Sequence, residues 1–130
     1  MALALTLTLA PCALIHASSP GTVSGWGADC FGDLGIPAGL SNVTALASGG
    51  DFNLALKQDG TVVAWGDSCC GATSVPAGLA DVTAVAAGGT HSLALLNNGT
   101  VVAFGVNTLG QTTVPADLTN VIQVAGGFLH

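Results

Sequence analysis

Positive charge is nearly missing from this chain: its 130 residues hold one lysine, Lys57, and no arginine, against seven aspartates, for a formal net charge of −6. A single cation does not neutralise a row of phosphates, which argues against direct binding to nucleic acid or to an anionic membrane surface. An electrostatic partner would have to be basic or a cation. Glutamate is absent and charged residues make up only 6% of the sequence, so the usual building blocks of surface helices are scarce. No unbroken apolar run approaches the roughly 20 residues of a membrane-spanning helix. The nearest candidate, residues 1–17, is interrupted by Thr6, Thr8, Pro11 and His16. No Cys-x-x-Cys spacing, Gly-x-Ser-x-Gly elbow, phosphate-cradling lysine loop or dinucleotide fingerprint occurs, so the common zinc, hydrolase and nucleotide signatures are lacking and no cofactor is expected.

What is present in quantity is glycine, 19 residues, and apolar side chains, half of the total. The chain is too hydrophobic for a disordered tail and has the length of one small domain. Short strands joined by tight turns suit this composition.

Those turns recur at a fixed interval. Gly-Thr-Val stands at 21–23, 60–62 and 99–101, always 39 residues apart, and the same offset links Trp26, Trp65 and Phe104, then Gly27, Gly66 and Gly105, then Pro37, Pro76 and Pro115. Residues 21–59 are identical to 60–98 at 20 of 39 positions, and 60–91 to 99–130 at 17 of 32, where composition alone gives roughly a tenth. The units are 21–59, 60–98 and an incomplete 99–130. Within each, a β-branched and aromatic strand (Thr61 to Trp65) is followed by a polar loop and an extended segment to Leu79. A small-residue strand (Val82 to Ala87) and a third strand (His91 to Leu96) complete it. Asp59-Gly60 and Asn98-Gly99 predict type I′ hairpins that staple one unit to the next. All strand and turn at about 40 residues predicts an all-β, partial β-propeller of about three blades. Small residues suit a strand near the axis, and Trp26, Trp65 and Phe104 suit the gaps between sheets. Residues 1–20 read either as a secretory signal, apolar and ending in small residues, or as a strand of a preceding partial blade. The first reading favours an extracellular or cell-surface location and the second leaves a cytoplasmic one open.

The strings Gly-Thr-Val-Val-Ala-Trp-Gly-Asp, Val-Pro-Ala-Gly-Leu and Val-Thr-Ala-Val-Ala-Ala-Gly-Gly-Thr-His-Ser-Leu-Ala-Leu resemble the repeat of the regulator of chromosome condensation family. The resemblance covers residues 21–130 and is closest to the short bacterial version, the type found in β-lactamase inhibitor protein II. It implies a seven-bladed ring, of which this chain is a fragment, whose loops bind other proteins and which has no shared catalytic residues. The remaining blades of the same chain, or further copies, would cover the ends of the arc. Inhibitor-type relatives carry contact aromatics at two loop positions. Here those positions hold Phe31, Cys70 and Leu109 in the first loop and Asp51 and Thr90 in the second, so a β-lactamase target does not carry over. Guanine-nucleotide exchange is implied still less, because it belongs to a complete ring and an insertion this sequence lacks.

The expected partner-binding rim therefore comprises the loops 29–35, 67–72 and 106–111. Its candidate contacts are Phe31, Asp29, Asp33, Asp51, Asp67, Cys70, Thr90 and Leu109, with Phe31 the one plausible aromatic anchor. Trp26, Trp65, Phe104, Gly27, Gly66, Gly105 and His91 are structural candidates. His91 and His130 share a repeat position with Phe52, which favours packing over metal ligation. Among Cys12, Cys30, Cys69 and Cys70, free thiols compete with a bridge from Cys30 to Cys69 or Cys70. The loop aspartates are explained equally well by turn preference or by acid–base or calcium chemistry, and the turn reading is the simpler. Asn42-Val43-Thr44 and Asn98-Gly99-Thr100 fit the glycosylation pattern but sit at turns. Three function classes follow: a protein-interaction module, a structural or adhesive segment of a larger extracellular protein, and an enzyme resting only on the Cys and Asp loops.

Overall fold

The computed structural model describes residues 13–18, 21–27, 29, 32 and 34–130, with 13–18 and 26 described by their backbone alone. The regular structure of these residues is entirely strand: β1 (Ala13–Ser18), β2 (Thr22–Gly27), β3 (Val43–Ser48), β4 (Phe52–Lys57), β5 (Val62–Gly66), β6 (Val82–Ala87), β7 (His91–Leu96) and β8 (Val101–Gly105). They form a two-stranded sheet, β1-β2, and two three-stranded sheets, β3-β4-β5 and β6-β7-β8, all antiparallel. The 39-residue offset carries each element of one sheet onto its counterpart in the next. Each three-stranded sheet straddles a boundary between sequence units, because the hairpin joining β4 to β5 spans residues 57–61.

That hairpin differs from the type I′ expectation. Gly60 N–H donates to the Lys57 carbonyl at 3.0 Å and Lys57 N–H to the Thr61 carbonyl at 2.9 Å. Gly60 has φ +79°, whereas Asp59 is not among the residues at positive φ. This is a three-residue loop, a type I turn closed by a glycine bulge. Gly99 repeats it between β7 and β8, with N–H to the Leu96 carbonyl at 3.0 Å and φ +78°. The physical reason lies in the side chain. Asp59 Oδ1 accepts from Thr61 N–H at 3.1 Å and from its hydroxyl at 2.6 Å, and Asn98 does the same for Thr100, which holds these residues in the right-handed turn.

A second repeated irregularity is a β-bulge at Thr44 and Thr83, where the register slips between Val43 and Ala45 and between Val82 and Ala84. Each threonine hydroxyl donates to a carbonyl of the middle strand, Leu56 or Leu95, at 3.2 Å. The bulge increases the local twist of the first strand.

Each sheet packs against the first strand of the next, β3 and β4 against β6, and β1, the counterpart of β4, against β3, as successive blades of a partial propeller. Trp65, 6% exposed, joins Val43 and Ala55 in a core covered by Val23, Leu34 and Ile36. Phe104, 8% exposed, packs with Phe52, Leu54 and Ala72 between the two three-stranded sheets. A third cluster joins Leu56, Val82 and Ala94. Backbone bonds link the blades at both ends. At one, Val82 N–H reaches the Gly60 carbonyl at 3.0 Å; at the other, Gly50 N–H reaches Gly89 at 3.2 Å and Gly89 N–H reaches Phe128 at 3.1 Å.

Candidate functional site

Strand direction places the loops after β5 and β8 at the same end of the arc as the β3–β4 and β6–β7 turns. Asp67 N–H donates to the Asp51 carbonyl at 2.7 Å, and Val106 N–H to the Thr90 carbonyl at 3.0 Å. The outer loop of each blade is thereby clamped to its inner turn by the same bond in both copies. Beyond the clamp, a turn closes from Gly71 N–H to Ser68 and from Gly110 N–H to Asn107, both at 3.2 Å. Gly71 and Gly110 take positive φ there.

On this repeated frame the exposed residues differ. Asp67 Oδ1 accepts from Cys69 N–H at 2.8 Å, while in the next copy Asn107 Oδ1 accepts from Thr112 N–H at 3.0 Å. The hydrogen bonds from Cys69 hold the Asp67 carboxyl below its ordinary range. Leu109 is 67% exposed, Cys70 and Thr90 are half-buried, and Asp29 is exposed with its carboxylate accepting from Leu34 N–H at 3.3 Å. Asp51, Asp67, Cys70, Thr90 and Leu109 thus lie at one end. Phe31, Asp33, Cys12 and Cys30 lie outside the described residues, as do residues 1–12, 19 and 20 and the side chains of Trp26 and His16. Ala72, the last residue of the second candidate loop, is not a rim residue. It is 2% exposed, and its carbonyl accepts from the buried Ser92 hydroxyl at 2.7 Å.

Gly27, Gly66 and Gly105 end the outer strands at φ +120°, +106° and +110°. At Gly105 a Cβ would meet the Thr90 carbonyl oxygen at 2.7 Å, so the outer strand approaches the inner turn too closely for a side chain. His91 begins β7 fully buried, against Gly88, with neither ring nitrogen hydrogen-bonded among the described residues. Burial pushes its imidazole below the ordinary value, partly opposed by the His130 backbone. Phe52 occupies the same place in the preceding blade, against Gly49. Among the described residues no three His, Cys or Asp side chains converge as metal ligands, and no helix is long and apolar enough to cross a membrane.

A feature that sequence reading did not locate is an apolar groove of about 370 Å³ on the far face of the β6-β7-β8 sheet, lined by Leu93, Val101, Val114, Leu118 and Val124. Thirty-nine residues earlier stand Leu54, Val62, Val75, Leu79 and Val85, which surround Phe104. The groove is a second copy of the socket that holds Phe104, and the repeat offset already contained that signal.

The repeat architecture has relatives among known proteins. The chain is similar to Prp20p of Saccharomyces cerevisiae, at 23% identity and TM-score 0.67, over 82% of this chain and 31% of that one. It is similar to the ectodomain of the receptor kinase CR4 of Physcomitrella patens, at 24% identity and TM-score 0.71, over 90% and 33%. For human WBSCR16 the values are 21% and 0.67, over 85% and 36%. The chain thus spans about a third of the length of each. No curated protein sequence matches it. The regulator of chromosome condensation (RCC1) repeat matches at residues 43–72 and 82–111, each match covering one three-stranded sheet and the start of its outer loop. The finer likeness to the short bacterial version rests on the sequence strings alone. Across these two segments, and in its fold, the chain is therefore similar to the regulator of chromosome condensation repeat proteins.

Proposed function

We propose that this chain is a non-catalytic protein-interaction module that binds a protein partner through the loops at one rim. One observation carries the reading: an identical backbone frame in successive blades, clamped from Asp67 to Asp51 and from Val106 to Thr90, presents residues that differ from copy to copy. A rigid scaffold with variable loops is the arrangement that recognition sites use. Net charge −6 with one lysine favours a basic partner. Prp20p is described by its binding to Gsp1p and histones, and a basic protein surface suits the present chain on charge grounds. Asp29, Asp33, Asp51 and Asp67 would supply the acidic contacts, Phe31 the aromatic anchor, and Cys70, Thr90 and Leu109 the surrounding surface. Guanine-nucleotide exchange has no residue in this chain to support it.

The test is Phe31→Ala. Partner capture from the source cells should fall about tenfold, as for loss of a hot-spot aromatic, while the melting temperature stays unchanged. An equal loss of melting temperature would show Phe31 to be a packing residue and refute the rim assignment. A structural or adhesive role in a larger extracellular protein is the second reading, favoured by the likeness to a receptor ectodomain. Cleavage of the N-terminal stretch on secretion would support it. Full-length activity abolished by Cys70→Ser with folding intact would instead revive an enzyme.

A further inference from the structure

Cys69 and Cys70 are neighbours in the turn that Gly71 N–H closes onto the Ser68 carbonyl. Both are free, Cys69 exposed and Cys70 half-buried, and their sulfurs lie 3.0 Å apart. The loop frame does not require them, because the next copy builds the same turn with Thr108-Leu109. Two thiols projecting to the same side of an exposed turn form a vicinal dithiol.

We propose that Cys69-Cys70 is a reversible dithiol–disulfide site, oxidised within the turn by a low-molecular-weight disulfide such as oxidised glutathione. In the first step the Cys70 thiolate attacks one sulfur of the reagent. The reagent's S–S bond breaks, and one glutathione leaves, taking up the proton Cys70 gave to solvent. In the second, Cys69 loses its proton and attacks the Cys70 sulfur, the mixed disulfide breaks, and the second glutathione leaves as a thiol. Two protein thiols are oxidised and one external disulfide is reduced to two thiols.

The order follows from the surroundings. Hydrogen bonding to Cys70 and then to Asp67 holds the Cys69 thiol protonated, with its pKa pushed up to about 12. Cys69 is therefore the slower, resolving thiol. Reversibility follows from chain geometry. Adjacent Cα atoms are about 3.8 Å apart across a trans peptide, short of the ~4.4–6.8 Å that unstrained bridges span, so the ring is strained and readily reduced. The site stands independently of the partner-binding reading, although oxidation would alter that rim.

The test treats the full chain with excess oxidised glutathione, quenches with acid and an alkylating reagent, and maps the peptides by mass. The peptide containing both cysteines should lose two hydrogens, and its alkylation should fall about tenfold or more and return with dithiothreitol. Cys69→Ser should stall at a glutathione adduct on Cys70, and Cys70→Ser should leave Cys69 largely a thiol. Asp67→Asn should speed ring closure severalfold. A crosslink from Cys30 to Cys69 or Cys70, or two independently alkylated thiols after treatment, would overturn the proposal. Because the wild-type map decides between these outcomes, no variant needs to fold for the test to count.

Discussion

At His91 two buried ring nitrogens have no hydrogen-bond partner among the described residues, so a proton there would place a charge where hydration has been lost. Ionisation therefore costs more in the folded chain than in the unfolded one, and the folded pKa lies below the ordinary 6.5. The unfolded chain takes the proton first as pH falls, so the neutral ring's contribution is fully present above about pH 6.5 and is lost on acidification. The preceding blade supplies the control, since Phe52 fills the equivalent slot at 3% exposure. His91→Phe should preserve the fold and remove this pH dependence. Between about pH 8 and pH 5, denaturant unfolding should show the wild type losing stability relative to the variant. Parallel curves would mean that the imidazole finds a partner in solution. Asp59 is held below its ordinary 3.8 by its bonds to Thr61, so its effect belongs to a lower pH window and does not confuse the measurement.

Between elements, stability rests on aromatic wedges and on close backbone approach. Trp65 fills the core covered by Val23, Leu34 and Ile36, so Trp65→Ala should cost about 3–5 kcal/mol in equilibrium unfolding; a cost below about 1 kcal/mol would place the ring outside the core. Gly89 and Gly78 make a second, paired comparison. A Cβ on Gly89 would meet the Phe128 carbonyl oxygen at 2.6 Å, whereas one on Gly78 meets nothing within 4 Å and faces only a φ of +80°. Gly89→Ala should therefore cost about 1–3 kcal/mol by forcing two backbones apart, and Gly78→Ala about 1 kcal/mol of backbone strain; equal melting temperatures would refute the close packing. The strands and their order were legible in the sequence because β-branched runs and glycine breaks recur every 39 residues. That same recurrence put the loops at 67–72 and 106–111 at one end. The hairpin type was not legible, since Asp59-Gly60 suits two turns and only the bonds from Thr61 to Asp59 choose between them. Nor was the bulge at Thr44 and Thr83, which depends on a hydroxyl reaching a carbonyl twelve residues away. Ala72 misled for a related reason: depth is set by Ser92 on a distant strand, which no local pattern reveals.

Across the whole arc, each blade is stabilised by the next. In repeat architectures stability is close to a sum of unit and nearest-neighbour terms, so the face of the β6-β7-β8 sheet carrying Leu93, Val101 and Val114 should gain when a following blade is added. Leu118, Phe128 and Leu129 are 40%, 74% and 52% exposed, which is the apolar surface such a blade would cover. The repeat phase allows a clean experiment. His130 stands where His91 does, 39 residues on, so appending a copy of residues 92–105 after His130 continues the pattern in register. It also brings a phenylalanine to the socket that repeats the one around Phe104. The extended chain should unfold at higher denaturant with a larger slope, because more surface becomes buried. Alanine in place of the appended phenylalanine should remove about 3–5 kcal/mol of the gain. Ile122→Thr, which restores the bulge threonine of Thr44 and Thr83, should add to it through the hydroxyl bond seen in both earlier copies. If the appended strands leave the midpoint and slope unchanged, the groove is not a blade socket, and the 39-residue correspondence between Leu54 and Leu93 is one of sequence without packing.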